Sequence, residues 1–334
     1  METPLCPRSP KHGKCWHGAA RWRSLGPVLR IAHVSDLHVL SPHGVEWRQM
    51  LFNKRLTGYA NLVRQRGRVY RRAYLAAVLA AAAARADHLV VTGDITNLSL
   101  EREFEEARAL LDGAARTVEV TVVPGNHDVY LPHIHEARRF AHHFGPFLRS
   151  DLPALACALR AGPFPCVKLR GPAAIIALSS AVPRPPFIAS DLVGDAELAA
   201  LEAVLAHPEV ARRTPVVLIH HPPVDDRLRL LQLRDGLVDA ARLCRVLAPL
   251  ARGLVLFGHL HLRVRRRLRT DAGWLDAIGA SGAALDHPAP AVRAGFNAYT
   301  IADDGSLASA EAHVLSPDGR TFERMPLRAS PSGA

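Results

Sequence analysis

Ile31-Ala32-His33-Val34-Ser35-Asp36-Leu37-His38 opens the interpretable part of the chain: a short β-type run breaks into an aspartate and a histidine two residues apart. The same construction recurs four times. Leu89 to Val91 leads into Gly93-Asp94, Val118 to Val123 into Gly125-Asn126-His127-Asp128, Val216 to Ile219 into His220-His221-Pro222-Pro223, and Leu254 to Phe257 into Gly258-His259-Leu260-His261. The polar residues therefore fall where strands end, and the carboxyl ends of strands are where open α/β sheets build sites. Asp36, His38, Asp94, Asn126, His220, His259 and His261 are all of ligand type for hard or borderline divalent metals. No thiolate is among them, which sets aside soft-metal and iron–sulfur chemistry. Asp36 and His38, like His259 and His261, are two apart, so extended backbone would project each pair to one side. Gly93, Gly125 and Gly258 stand where a strand must turn sharply or approach an ion closely.

In this order the five motifs resemble the calcineurin-like metallophosphoesterase superfamily, over roughly residues 30 to 262. The resemblance implies that Asp36, His38 and His261 hold one metal, that Asn126, His220 and His259 hold a second, and that Asp94 bridges them. It favours His220 over His221 as the ligand, leaving His221, with Asn97 and Asp128, in a supporting position. Two ions about 3.5 to 4 Å apart lower the pKa of a shared water and clamp both oxygens of an in-line displacement at phosphorus. The expected nucleophile is hydroxide bridging two ions (Mn, Fe or Zn), not a side chain. The leaving alkoxide still needs a proton, and His127, beside Asn126 but without a ligand role in the family, is the candidate general acid. In the protein phosphatase branch a carboxylate three residues after the bridging Asp orients this histidine; here Asn97 stands there. That difference, with Asp128 in place of Glu, argues against a protein phosphatase. His133, His135, His142, His143, His207, His287 and His313 read as surface or hydrogen-bonded residues. A scaffold that has lost catalysis is the alternative from another class, and the complete ligand set speaks against it.

With 334 residues and 49% apolar content the chain can bury a large core, and the motif span leaves no domain boundary inside it. The expected organisation is a basic disordered arm over 1–28, one domain over 29–325 and a flexible tail over 326–334. Helices are predicted over Arg71 to Ala86, Leu100 to Asp112, Asp195 to Ala206 and Gly236 to Leu247. After His261, strands are predicted over Val264 to Leu268, Trp274 to Ile278, Ala298 to Ile301 and Ala310 to Val314. This order suits the family's α/β/β/α four-layer sandwich. Cys6, His12, Cys15 and His17 match no standard zinc spacing. Five scattered cysteines point to a reducing compartment, and without a signal or transmembrane run the cytoplasm is the expected location.

The formal net charge of +11 favours anionic partners such as phosphate esters, nucleic acid or acidic lipid. No nucleic-acid module is recognisable. Trp47 to Arg72 carries eight Lys and Arg residues interleaved with aromatics, and Phe52, Leu56, Tyr59 and Val63 recur at helical spacing. Inserted between Asp36-x-His38 and the first long helix, this basic element is placed to cap the site or to hold it peripherally on the inner face of an anionic membrane. Trp47, Phe52, Tyr59 and Arg55 are its candidate contacts, and a solvated helix packed on the domain is the plainer alternative. Arg263, Arg265, Arg267 and Arg269 alternate along the strand after His261, as expected of an edge protected by charge. The motifs are most similar to the bacterial cyclic-nucleotide and glycerophosphodiester phosphodiesterase branch. The insert instead resembles branches acting on lipid-linked substrates, such as UDP-diacylglucosamine pyrophosphatases.

Overall fold

The computed structural model describes residues 28–40, 70–185 and 188–329. The N-terminal arm with its Cys and His residues, most of the basic insert including Trp47, Phe52, Arg55 and Tyr59, and the last residues of the tail lie outside them.

Two six-stranded sheets face each other. The first has the order β14-β13-β12-β1-β2-β3, with β1 (Leu29–Val34), β2 (His88–Thr92) and β3 (Glu119–Val123) parallel, and β12 (Gly295–Ile301), β13 (Leu307–Leu315) and β14 (Phe322–Pro326) added antiparallel. The second runs β10-β11-β9-β8-β7-β6, built from β6 (Cys166–Arg170), β7 (Ala173–Ala177), β8 (Thr214–Leu218), β9 (Arg252–Phe257), β10 (Val264–Arg269) and β11 (Trp274–Gly279). A small hairpin of β4 (Cys157–Leu159) and β5 (Gly162–Phe164) stands apart.

Strand alternation divides the core as a sandwich requires. Val216 and Leu218 of β8 and Leu254 and Leu256 of β9 join the cluster shared with the first sheet, whereas Val217, Ile219, Val255 and Phe257 point away from it. Helices α1 (Arg72–Ala83) and α2 (Glu101–Ala114) bury Leu75, Val78, Phe104 and Leu111 in the first cluster. The short α3 (Pro132–Glu136) and α4 (Arg139–Phe144) follow β3. On the second sheet, α5 (Asp195–Ala206) and α8 (Ala240–Leu247) cover the outer face with Leu198, Leu201, Val204, Leu243 and Leu247; α6 (Pro208–Ala211) and α7 (Arg229–Asp235) complete the helices used here. The layers are therefore α/β/β/α.

Two expectations need correction, and one strand was not foreseen. The helix predicted from Gly236 begins only at Ala240, because Gly236 is extended and the Val238 N–H donates to the Asp191 carbonyl, tying this stretch to residues 189–191 instead. The alanine-rich run of β7 gives no strong strand signal, yet pairing with β8 on one side and β6 on the other makes it internal to the second sheet. The tail starts later than expected: Pro326 closes β14, and Leu327 is buried with its N–H donated to the Ala310 carbonyl. The arginine stripe does lie on an edge, since β10 ends the second sheet, with Arg265 paired to Asp276 and Arg267 over the Trp274 ring.

At one margin a charged clasp joins the sheets. Lys168 of β6 reaches the Val120 carbonyl at 3.0 Å and Glu119 at 3.1 Å, and Arg170 grips the same carboxylate at 2.5 and 2.7 Å. Burial alone would raise the Glu119 carboxyl, but His88, Arg170 and Lys168 together hold it far below its ordinary 4.5. A lowered folded value means that this contribution is fully present above about pH 4.5 and fades as the pH falls toward the folded value. Glu119→Gln is expected to cost about 3 kcal/mol at neutral pH, because it leaves buried Lys168 without a counter-charge, while Arg170 keeps Asp151. Urea melts at neutral pH and at about pH 4 should show the parent's acid-side loss flattened in the variant.

Candidate metal centre

The polar loops at the ends of β1, β2, β3, β8 and β9 meet along one margin of the sandwich, and backbone bonds set their spacing. Asp36 N–H donates to the Gly93 carbonyl, His38 N–H to that of Asp94, and Gly258 N–H to that of His220. The projection of Asp36 and His38 does not come from extended backbone, contrary to the spacing argument. Asp36, His38, Asp94, His259 and His261 all adopt left-handed conformations, with φ of 51, 41, 49, 64 and 51°. Such residues cost of order 1 to 3 kcal/mol each and persist only where surrounding bonds over-determine them. Close packing explains one glycine directly: a Cβ at Gly258 would overlap the Ser35 hydroxyl and stand 2.7 Å from Asp36 Oδ2.

The expected ligands lie in two groups: Asp36, His38, Asp94 and His261 offer donor atoms within 4.8 Å of one another, and His220 and His259 do so together with His221, which the sequence placed in a supporting position. In the first, His261 Nε2 lies 3.2 Å from Asp36 Oδ1 and 3.3 Å from His38 Nε2, and His38 Nε2 is 3.8 Å from Asp94 Oδ2. In the second, His220 Nε2 lies 3.4 Å from the other Asp94 oxygen, Oδ1, and 3.3 Å from Asn126 Oδ1, with the His259 ring 5.3 Å from that of His220. Metal–ligand bonds of about 2.0 to 2.2 Å put neighbouring donors roughly 3 to 3.5 Å apart, so these separations suit divalent ions. The donors fit in a second respect. Asp36 is fully buried, and among the described residues neither of its oxygens accepts a hydrogen bond. A carboxylate in that position needs a cation. Burial opposes charge on Asp94, yet the surrounding histidines hold its carboxyl well below the usual range, while the same carboxylate lifts buried His220 up to about 10. The site thus concentrates negative charge that protons on imidazole balance and that a divalent ion balances better.

Second partners aim the donor atoms. His220 Nδ1 donates to the Thr92 carbonyl at 2.7 Å, which turns Nε2 toward Asp94. Asp128 gathers the Gly125, Ile95 and Thr96 N–H groups and the Thr96 hydroxyl, tying the second and third loops together; burial pushes its carboxyl up to about 7 against those donors. His221 lies against His259 with ring centroids 4.1 Å apart, donates Nε2–H to the Ala189 carbonyl, and faces Ser180 and Asp191 with Nδ1.

His127 sits at the mouth, its Nε2 4.0 Å from Asp94 Oδ2 and its backbone N–H bonded to Asp94 Oδ1. The oxygen that orients its ring is the backbone carbonyl of Asn97, 2.6 Å from Nδ1, not the Asn97 side chain. Glu103 braces that loop by accepting the Asn97, Leu98 and Leu100 N–H groups.

Tyr70 is the site residue that the sequence reading missed, having placed it in the basic insert. Its hydroxyl meets His261 Nδ1 at 2.8 Å and its ring packs edge-on against His38. Nothing in local sequence connects Tyr70 with a histidine 191 positions away. Tyr70→Phe is expected to weaken metal retention by roughly 10- to 100-fold, as loss of an outer partner of a ligand histidine does. Competitive chelation of the loaded protein measures it.

This site and fold accord with comparison to known proteins. The family model for calcineurin-like phosphoesterases matches residues 29–263, and the chain belongs to that family. It is therefore a metal-dependent phosphoric ester hydrolase with a divalent metal centre. The purple acid phosphatase PPD1 of yellow lupin (Lupinus luteus) seeds has a similar fold, with a TM-score of 0.55 at 12% identity over 92% of this chain and 55% of that one. A dimetal phosphatase from Danio rerio aligns over 91% of this chain and all of its own, at 13% identity and a TM-score of 0.49. No curated protein sequence matched the chain.

Proposed function

We propose that the protein is a phosphodiesterase in which Asp36, His38 and His261 hold one ion, Asn126, His220 and His259 a second, and Asp94 both. When bound, two such ions supply Lewis acidity at phosphoryl oxygen and a nucleophile from water. The chain's own part is to place the phosphorus and manage the leaving group. His127 projects its Nε2 into the mouth while the Asn97 carbonyl holds the Nδ1 proton, so a protonated ring can donate from Nε2 to a departing alkoxide.

The observation that carries the diester reading is the composition of the site's charges. Every group that ion-pairs with Asp36 or Asp94 is a histidine, and among the described residues no Lys or Arg pairs with either. With histidines as the only partners of these carboxylates among the described residues, the positive charge beside them comes from imidazole and the two ions, which suits a monoanionic diester. The motif resemblance to bacterial cyclic-nucleotide and glycerophosphodiester enzymes supports the same choice. The test is a screen of purified enzyme against cyclic nucleotides, glycerophosphodiesters, nucleotide-sugar lipids and phosphomonoesters, each metal being restored after chelation. Diesters are expected to exceed monoesters in kcat/KM by at least about tenfold, a margin of about 1.4 kcal/mol in transition-state binding. A monoester preference would overturn the reading.

A further inference from the structure

Ser99 is held in a backbone conformation that its own residue type disfavours. It is fully buried, with φ at 53°, in the left-handed region that glycine enters freely and serine occupies only under constraint. A glycine there would relieve the strain, so what serine adds is its hydroxyl. That hydroxyl has two partners, both on the loop that carries His127. It donates to the His127 carbonyl at 2.5 Å and accepts the Tyr130 N–H at 3.2 Å, standing between two groups of one turn.

Both partners bear on the imidazole. The His127 carbonyl, which also accepts the Thr96 hydroxyl at 3.1 Å, fixes the backbone from which the ring projects. The Tyr130 ring stacks on that imidazole, with centroids 5.3 Å apart and planes 20° from parallel, while the His38 ring meets it edge-on at 4.9 Å. Two residues before Ser99, the Asn97 carbonyl holds Nδ1. One short segment thus presents both the Asn97 carbonyl and the Ser99 hydroxyl to His127, and Glu103 fixes that segment by accepting the Leu98 and Leu100 N–H groups on either side of Ser99.

We infer that Ser99 is a positioning residue for His127, its hydroxyl setting the direction of Nε2 by tying the His127 backbone to the stacked Tyr130. This rests on the reading of His127 as proton donor to the leaving alkoxide. A small displacement of the donor spoils proton transfer while the groups facing the metals keep their places. The effect should therefore follow the leaving group.

Ser99→Gly and Ser99→Ala would be made in the full-length parent and in His127→Ala, and the metal-reloaded proteins assayed on a diester with an alkoxide leaving group and on a nitrophenyl diester. Each Ser99 variant is expected to lower kcat on the first by about tenfold or more. On the second the loss should stay below about threefold, with metal content as in the parent. In the His127→Ala background the same substitution should add no more than about twofold, because the group it positions is gone. Glycine relieves the backbone strain and alanine keeps it, so agreement between the two assigns the loss to the hydroxyl; a melting temperature above that of the assay shows each variant to be folded. Equal losses on both substrates, a loss undiminished without His127, or depletion of metal would make the role of Ser99 structural and overturn the inference. If His127→Ala itself slows both substrates equally, the general-acid reading fails and takes this inference with it. If His127→Ala discriminates and the Ser99 variants do not, this inference alone fails.

Discussion

Replacing Asp94 with Asn, or His220 with Ala, is expected to abolish hydrolysis of an activated aryl phosphodiester, by more than about 10³-fold, and to deplete the protein of metal. Asp94 divides its two oxygens between the two donor sets, with Oδ2 facing His38 and Oδ1 facing His220. An amide keeps the shape but supplies a neutral oxygen to one set and an N–H to the other, which repels a cation. His220 contributes the nitrogen that faces both Asp94 and Asn126, and its removal opens the second set. The fold should persist, because the loops are also tied by the Asp128 carboxylate and by backbone bonds between neighbouring motifs. Metal content by mass spectrometry and circular dichroism on the same samples check both halves of the expectation. Full activity in either variant after stripping and reloading would sink the shared-ligand assignment.

His127→Ala is expected to lower kcat by roughly 10² to 10⁴ on a diester with an alkoxide leaving group, and by much less on a nitrophenyl ester, whose leaving group departs without a proton. The contact with Asp94 Oδ1 is made by the His127 backbone N–H and survives the substitution, so metal content should hardly change. The two losses are compared by steady-state kinetics on paired substrates. Equal losses would assign His127 to ground-state placement, not proton donation. Because a neutral carbonyl and not a carboxylate holds its Nδ1, His127→Asn should restore little: an amide fills the space but has no proton of suitable acidity to give.

Strand periodicity, with the family resemblance that the motif order carries, pointed to the sandwich, to the strand ends that carry the site and to the seven candidate donors. These are local properties. A strand's apolar alternation selects its buried face, and a polar residue after its last turn of alternation must lie at its end. Alanine richness and acidic residues in the opening turn placed α1, α2 and α5 within a few residues of their limits.

Tertiary contacts decided the rest, for physical reasons that no short window contains. The left-handed backbone of Asp36, His38, His259 and His261 is imposed by bonds between loops from different strands, not by the residues' own preferences. β7 is a strand because β6 and β8 flank it, although alanine favours strands weakly. Asn97 serves His127 with its carbonyl, and Tyr70 reaches His261 from across the chain. Residue type and spacing therefore specify which groups the chain can bring to a metal; distances between groups far apart in sequence specify which atom of each group faces it.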